Sequence, residues 1–133
     1  MKNVFFALLL AVSLMSCTKD LDMSVKNNSK WILSEWPGKQ IPSNAQASLN
    51  ITDGNKIGGK SFCNTFGGTA TFNGNALQFS QIFGTKMYCN ELADAEIKYL
   101  TDLETVNSGK VEGEKLSLMK DGVVLLVFSK SVQ

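Results

Sequence analysis

Short glycine-containing turns between alternating apolar residues constrain the fold of this chain most strongly. Asp53-Gly54, Asn73-Gly74-Asn75 and Asp121-Gly122 each separate two runs in which apolar and polar residues alternate. Asp-Gly and Asn-Gly pairs favour the tight turns of β-hairpins, and a period of two turns one face of each strand toward a core. From residue 30 onward the sequence therefore predicts an antiparallel β-sheet. The run 123–128 is apolar on both faces, which predicts a central strand.

One helix is predicted within this sheet-forming sequence. Residues 90–106 contain no glycine or proline, and Ala93, Ile97 and Leu100 form an apolar stripe at helical spacing, widened by Leu92, Tyr99 and Leu103. Asp102 is expected to face solvent. Such a helix either packs on the sheet or offers its stripe to a membrane or a partner. Its polar face is acidic, which disfavours lipid binding, so packing on the sheet is expected.

The start of the chain has the features of an export signal. Lys2 precedes an apolar run that is too short for a transmembrane helix, which needs about 20 residues. The end of this segment, Leu14-x-Ser16-Cys17, resembles the signal of bacterial lipoproteins. The resemblance implies cleavage before Cys17, lipidation of its thiol and attachment to a membrane. Thr18 is not aspartate, which by the same resemblance implies the outer membrane.

This signal sets the expected organisation of the chain. We expect a lipoprotein signal peptide over residues 1–16, a lipidated flexible tether over 17–29 and a single folded domain over 30–133. The tether is polar with isolated apolar residues, which is typical of a flexible linker.

Composition excludes several classes of function. Loss of Lys2 with the signal leaves 12 of the 13 basic residues against 12 acidic ones, and there is no arginine or histidine. Balanced charge and the lack of arginine disfavour nucleic-acid binding. The lack of histidine removes the usual base of serine and cysteine hydrolases, and with no Cys-x-x-Cys it also disfavours a zinc site. We therefore expect no metal, no cofactor and no nucleic-acid partner.

One pair of carboxylates resembles an acid–base pair. On an extended strand Glu112 and Glu114 point to the same side, about 7 Å apart. Lys110 and Lys115 flank them, and a solvated charged face explains this pattern better than catalysis.

A set of spaced motifs runs through the predicted domain. They are Trp31-x-Leu33, Gly59-x-x-x-Cys63-Asn64-x-Phe66-x-Gly68, Thr85-x-Met87-x-Cys89, a helix with an acidic start, and Leu116-x-Leu118. In this order and spacing the motifs resemble the META domain of the HslJ-like lipoproteins. The resemblance implies a small antiparallel β-barrel or cracked barrel of about seven or eight strands with one helix packed against it. It brings no catalytic residues with it. Where the family usually has glycine before its Cys-Asn pair, this chain has Phe62.

Two cysteines remain once Cys17 carries lipid. Cys63 and Cys89 form an even pair in an exported protein, which favours a disulfide, and members of the resembled family often carry both. Two buried reduced thiols are the main alternative. A redox or nucleophilic centre needs a group that lowers a thiol pKa, and only Lys86 is close in sequence.

These observations predict a non-enzymatic, lipid-anchored protein of the bacterial cell envelope with a binding or stress-tolerance role. Its expected partners are the membrane, through Cys17, and an envelope protein or a small apolar ligand. The alternatives are an inhibitor of a cell-wall glycosidase such as lysozyme, and a pilot or carrier for an envelope assembly subunit or an apolar ligand.

Two aromatic features are candidate contacts for a partner. The turn Trp36-Pro37-Gly38 is expected to be exposed. Five phenylalanines either line a barrel mouth or fill a packed core, and the packed core is favoured because a small barrel is filled by its own side chains. They are Phe62, Phe66, Phe72, Phe79 and Phe83.

Overall fold

The protein folds as a closed antiparallel β-barrel. The computed structural model describes Leu21, Val25 and residues 30–131. Eight strands pair in chain order, and the last strand pairs with the first. The predicted barrel architecture is confirmed. The strands are β1 Lys30–Glu35, β2 Ser48–Thr52, β3 Lys56–Ser61, β4 Asn64–Asn73, β5 Ala76–Gly84, β6 Ser108–Glu112, β7 Lys115–Lys120 and β8 Val123–Ser131.

The three predicted glycine-containing turns each join neighbouring strands, namely β2–β3, β4–β5 and β7–β8. In the β7–β8 turn Asp121 and Gly122 have φ angles of 49° and 79°. Two successive positive φ angles define a type I′ turn, whose twist matches that of the flanking strands and which favours Asp-Gly. Asn107 fixes this turn, because its Oδ1 accepts the Asp121 N–H at 3.0 Å. Local turn chemistry therefore sets the register of the hairpin.

The barrel has one narrow seam, between β5 and β6. These strands share a single residue pair, Ala76 with Ser108. Two backbone hydrogen bonds extend the contact: Leu77 N–H donates to Asn107 at 3.1 Å and Gly109 N–H donates to Asn75 at 3.0 Å. The connection between the two strands contains the helix α1, Ala93–Thr105, which packs against β5 and β3. The helix therefore lies in the connection between the two strands that pair most weakly.

The buried face of α1 contains most of the predicted stripe. Tyr99 and Leu103 are buried and Leu100 is half-buried, as expected, whereas Ile97 is 64 % exposed. Asp102, expected to face solvent, is buried. The predicted packing of the helix on the sheet is observed, but the buried face includes Asp102 and leaves Ile97 outside. The physical reason is the hydrogen bonding of the Asp102 carboxylate to the segment after β1, described below.

The barrel interior is filled by the protein's own side chains. The largest fully buried ones come from β1, β2, β5, β7, β8 and α1, so layers from opposite walls meet along the axis. They include Trp31, Leu49, Leu77, Tyr99, Leu116, Leu118, Leu126 and Phe128.

Two residues of the predicted tether belong to this core. Leu21 and Val25 have helical conformation and are buried. Leu21 lies beside Gly109, where a Cβ atom would come within 3.0 Å of the leucine side chain. A flexible tether is therefore the wrong description at these two positions, because each buries a large apolar side chain. The signal peptide 1–16 and Cys17 lie outside the described residues, and within the described ones no helix is long and apolar enough to cross a membrane.

Candidate functional site

A disulfide bond joins Cys63 and Cys89, with their Cα atoms 6.0 Å apart. This separation lies within the range that a disulfide requires. Cys63 lies in the two-residue turn between β3 and β4, and Cys89 lies just before α1. Of the three alternatives considered for these cysteines, the structure has the bonded pair, which links the barrel to the start of its helix.

Asn64, next to Cys63, binds the segment 85–89 that leads from β5 to α1. Its Oδ1 accepts the Thr85 hydroxyl at 2.9 Å and the Met87 N–H at 2.8 Å. Its Nδ2 donates to the Met87 carbonyl at 3.1 Å and to Glu96 Oε1 at 2.7 Å. Both donors and both acceptors of this buried amide are therefore used. The Cys-Asn and Thr-x-Met-x-Cys motifs meet here, and together we call their contacts the clamp.

Glu96, in the first turns of α1, completes the clamp. Its Oε2 accepts the backbone N–H of Asn64 at 2.8 Å and lies 3.0 Å from the Ser61 hydroxyl. A carboxylate that accepts several hydrogen bonds is held firmly, because charge-assisted bonds are stronger than neutral ones. Nothing in the sequence distinguishes Glu96 beyond the acidic start of the helix.

At Phe62, where the resemblance implied a glycine, the backbone adopts a conformation that favours glycine. Its φ angle is +72°, in the left-handed region that favours glycine. The side chain is nevertheless 2 % exposed, and its ring stacks on Trp36 with centroids 5.7 Å apart and meets Tyr99 edge-on at 5.8 Å. Burial of this ring offsets the backbone strain of a non-glycine residue.

Pro37 and Gly38, in the turn after β1, are exposed as expected, whereas Trp36 is attached to α1. Trp36 is buried, and its Nε1 donates to Asp102 Oδ2 at 2.8 Å. Lys39 Nζ donates to the same oxygen at 2.8 Å and lies 5.6 Å from the centre of the Trp36 ring. The prediction of Trp36 as an exposed partner contact is therefore wrong, since a buried carboxylate binds its indole N–H.

Segment 83–88 is exposed along its whole length, and the clamp holds it through Thr85 and Met87. It carries three large apolar side chains, with Phe83 70 %, Met87 64 % and Tyr88 83 % exposed. We call these three side chains the apolar rim. Of the five phenylalanines considered above, Phe62, Phe66 and Phe79 are buried in the core, so the packed core is favoured for them, while Phe83 lies outside.

The carboxylates Glu112 and Glu114 do not share one strand. β6 ends at Glu112, and Glu114 lies in the turn before β7. Glu112 pairs with Lys110 at 2.6 Å on an exposed surface. Glu112 and Glu114 therefore belong to an exposed charged hairpin, which is the interpretation that the sequence favoured. Within the part of the chain that the structure describes, no three His, Cys, Asp or Glu side chains are grouped to hold a metal.

Tyr99 is the titratable group most affected by its surroundings. It is fully buried, and its hydroxyl donates to the Ser48 carbonyl at 3.1 Å. Burial raises the pKa of the Tyr99 hydroxyl, because the phenolate would be desolvated. The group is closed off by Phe62, Phe66 and Phe128, so it supports the core and is not accessible to a substrate.

Comparisons with solved structures support the same architecture. A protein from Burkholderia xenovorans studied by NMR is 23 % identical, with a TM-score of 0.71 over 84 % of this chain and 86 % of that one. A DUF4847 family protein from Bacteroides vulgatus ATCC 8482 is 12 % identical, with a TM-score of 0.64 over 84 % of this chain and 99 % of that one. At these identities the likeness shows a common fold. No curated protein matches the chain.

The family profile of the META domain matches residues 19–132. This range covers the whole barrel, the clamp and the two buried residues that precede β1. Two of the motifs that resembled the family in sequence, those around Cys63 and Cys89, meet in the clamp. The chain belongs to the META domain family.

Proposed function

We propose that this META domain protein is a non-enzymatic binding protein, anchored by lipid at Cys17 to the outer membrane of a bacterial cell envelope. The observation that carries the proposal is the use of the motif side chains. Cys63, Cys89 and Asn64 are all engaged in holding the segment before α1, and that segment exposes the apolar rim. Groups occupied in this way support presentation of a surface and not chemistry.

The signal sequence and the disulfide support an envelope location. Leu14-x-Ser16-Cys17 resembles the lipoprotein signal, and disulfides persist in exported proteins. Leu21 packs on the barrel only four residues after Cys17, a stretch that spans at most about 14 Å. The barrel would therefore sit close to the bilayer that holds the acyl chains.

The filled interior favours an outer surface as the binding site. Side chains of the protein fill the barrel interior, and this disfavours a carrier that holds an apolar ligand inside the barrel. An inhibitor of a lysozyme-like glycosidase or a pilot for an envelope subunit would each use an exposed segment. Both belong to the same proposal of surface-mediated binding.

Fractionation of cells tests the anchor. Cys17→Ala should move the protein from the membrane to the soluble periplasmic fraction or block its processing, because the acceptor of the lipid is gone. Thr18→Ala is the matched control and should stay in the membrane fraction. A Cys17→Ala protein with unchanged fractionation and unchanged mass would contradict the lipid anchor.

A further inference from the structure

The apolar rim is a surface feature that the fold itself does not require. Its three side chains lie within six residues and expose about 400 Å² of mostly apolar surface, a size typical of functional patches. Phe83 rests over Gly67, where a Cβ atom would come within 2.7 Å of the phenylalanine Cζ. The small residue on β4 lets the ring lie flat on the outer face of the barrel.

The backbone beneath the rim is held in place before any partner binds. Thr85 N–H donates to the Thr65 carbonyl at 3.0 Å, Met87 N–H donates to Asn64, and Cys89 is bonded to Cys63. The Tyr88 hydroxyl lies 3.0 Å from Asn90 Oδ1. A partner would therefore lose little affinity to the ordering of this segment.

The size and position of the rim argue against two occupants. A stable dimer buries about 800 Å² on each subunit, roughly twice what the rim offers. The membrane to which the protein would be anchored is also an unfavourable occupant, because of the position of the rim. Leu21 packs beside Leu77 at one end of β5, and Phe83 lies six residues further along, about 20 Å away. The rim thus lies at the end of β5 away from Leu21, the described residue nearest in sequence to the proposed anchor.

Charge indicates the chemistry of the remaining occupant. Lys86 is exposed in the middle of the rim, and its ammonium group has no acidic partner among residues 30–131. We propose that the rim docks a short apolar peptide segment of a protein partner, with an acidic residue that pairs with Lys86. This inference rests on the proposed binding role, and only its exclusion of the membrane as occupant uses the proposed lipid anchor.

A panel of synthetic nine-residue peptides tests the inference on the full mature chain carrying Cys17→Ala. Each peptide has two or three Leu or Phe residues and one Asp at a varied position, and the matched peptide has Asn for Asp. We expect at least one Asp peptide to bind, with the Asn version about fivefold weaker. Tyr88→Ala should weaken binding at least tenfold, and Lys86→Ala should abolish the preference for Asp. Val123→Ala, at an exposed apolar residue outside the rim, should leave binding unchanged.

Three results would overturn the inference. The first is the absence of binding by any Asp peptide, or equal losses with Tyr88→Ala and Val123→Ala. The second is a dimer in sedimentation equilibrium that Tyr88→Ala dissociates. The third is binding to vesicles of phosphatidylethanolamine and phosphatidylglycerol that Tyr88→Ala abolishes. Failure of the peptide test leaves the fractionation of Cys17→Ala unaffected, so the two proposals fail separately.

Discussion

Substitution of Phe62 separates backbone strain from side-chain burial at one position. Phe62 combines a φ angle of +72° with a ring that is almost fully buried between Trp36 and Tyr99. Phe62→Ala removes the ring and keeps the strain of a residue with a Cβ atom. Phe62→Gly removes both.

The two variants should fall in an unusual order. Loss of a buried phenylalanine ring costs about 3–5 kcal/mol of unfolding free energy. Left-handed backbone costs a non-glycine residue about 1–2 kcal/mol, which glycine recovers. Glycine loses about 0.4–1 kcal/mol of this advantage through the greater freedom of the unfolded chain. Phe62→Gly should therefore be destabilised relative to the native protein but be about 0.5–1 kcal/mol more stable than Phe62→Ala.

Urea unfolding with the disulfide intact measures this order. Phe79 provides the matched control, because it is also buried but its φ angle is not positive. There the ordinary order is expected, with Phe79→Ala more stable than Phe79→Gly by about 0.5–1 kcal/mol. A Phe62→Ala variant as stable as Phe62→Gly, or more so, would refute the argument that this position needs a left-handed backbone.

Three further predictions concern the core and the clamp. Burial raises the pKa of Tyr99, so the native state holds the phenolic proton more tightly than the unfolded chain does. This contribution to the free energy of unfolding should therefore be complete below about pH 10, the ordinary tyrosine pKa. Above that pH the free energy of unfolding should fall by about 1.4 kcal/mol per pH unit. Tyr99→Phe should remove that slope in urea unfolding at pH 9–11, and an identical slope in the variant would contradict the assignment. Asn64→Ala leaves four hydrogen-bonding groups without their partner and should lower stability by about 2–4 kcal/mol in the same assay; a loss below about 1 kcal/mol would mean that the clamp contributes little. Cys63→Ser with Cys89→Ser should cost about 3–4 kcal/mol, since the bond closes a loop with a separation of 26 residues, and titration of unfolded, unreduced protein should find neither thiol free.

Local signals in the sequence predicted most of the barrel. Asp121-Gly122 is a turn whose chemistry is contained in two adjacent residues, so it could be located without knowledge of the rest of the fold. The alternation around it then gave the strands. Closure between β1 and β8 was implied by the family resemblance and not by any local pattern, because pairing between strands far apart in sequence leaves no periodic signal.

The helix shows where sequence periodicity is insufficient. Ile97 fits an apolar stripe as well as Leu103 does, and the choice between them depends on where Asp102 finds hydrogen-bond donors. Those donors, Trp36 and Lys39, lie more than 60 residues earlier. A buried carboxylate is stable only with such partners, and the sequence does not reveal them.

The clamp was predictable in its parts and not in its role. The motifs around Cys63 and Cys89 could be recognised, and their pairing was favoured by the expected export and by the family resemblance. That Asn64 would use its whole amide on Met87, Thr85 and Glu96 depends on three elements meeting in space. The apolar rim was missed because exposure of Met87 and Tyr88 contradicts their hydrophobicity, and only packing shows which apolar residues stay outside.

Amide hydrogen exchange of Met87, followed by NMR, tests most directly whether the clamp holds the rim. Met87 has an exposed side chain but a backbone N–H bonded to Asn64, whereas the N–H groups of Lys86 and Tyr88 donate no backbone hydrogen bond within the described residues. We expect the Met87 amide to exchange at least tenfold more slowly than those of its two neighbours, and we expect this difference to disappear in Asn64→Ala. Exchange of Met87 in the native protein at the rate of an unstructured peptide would contradict a clamped segment that presents the rim.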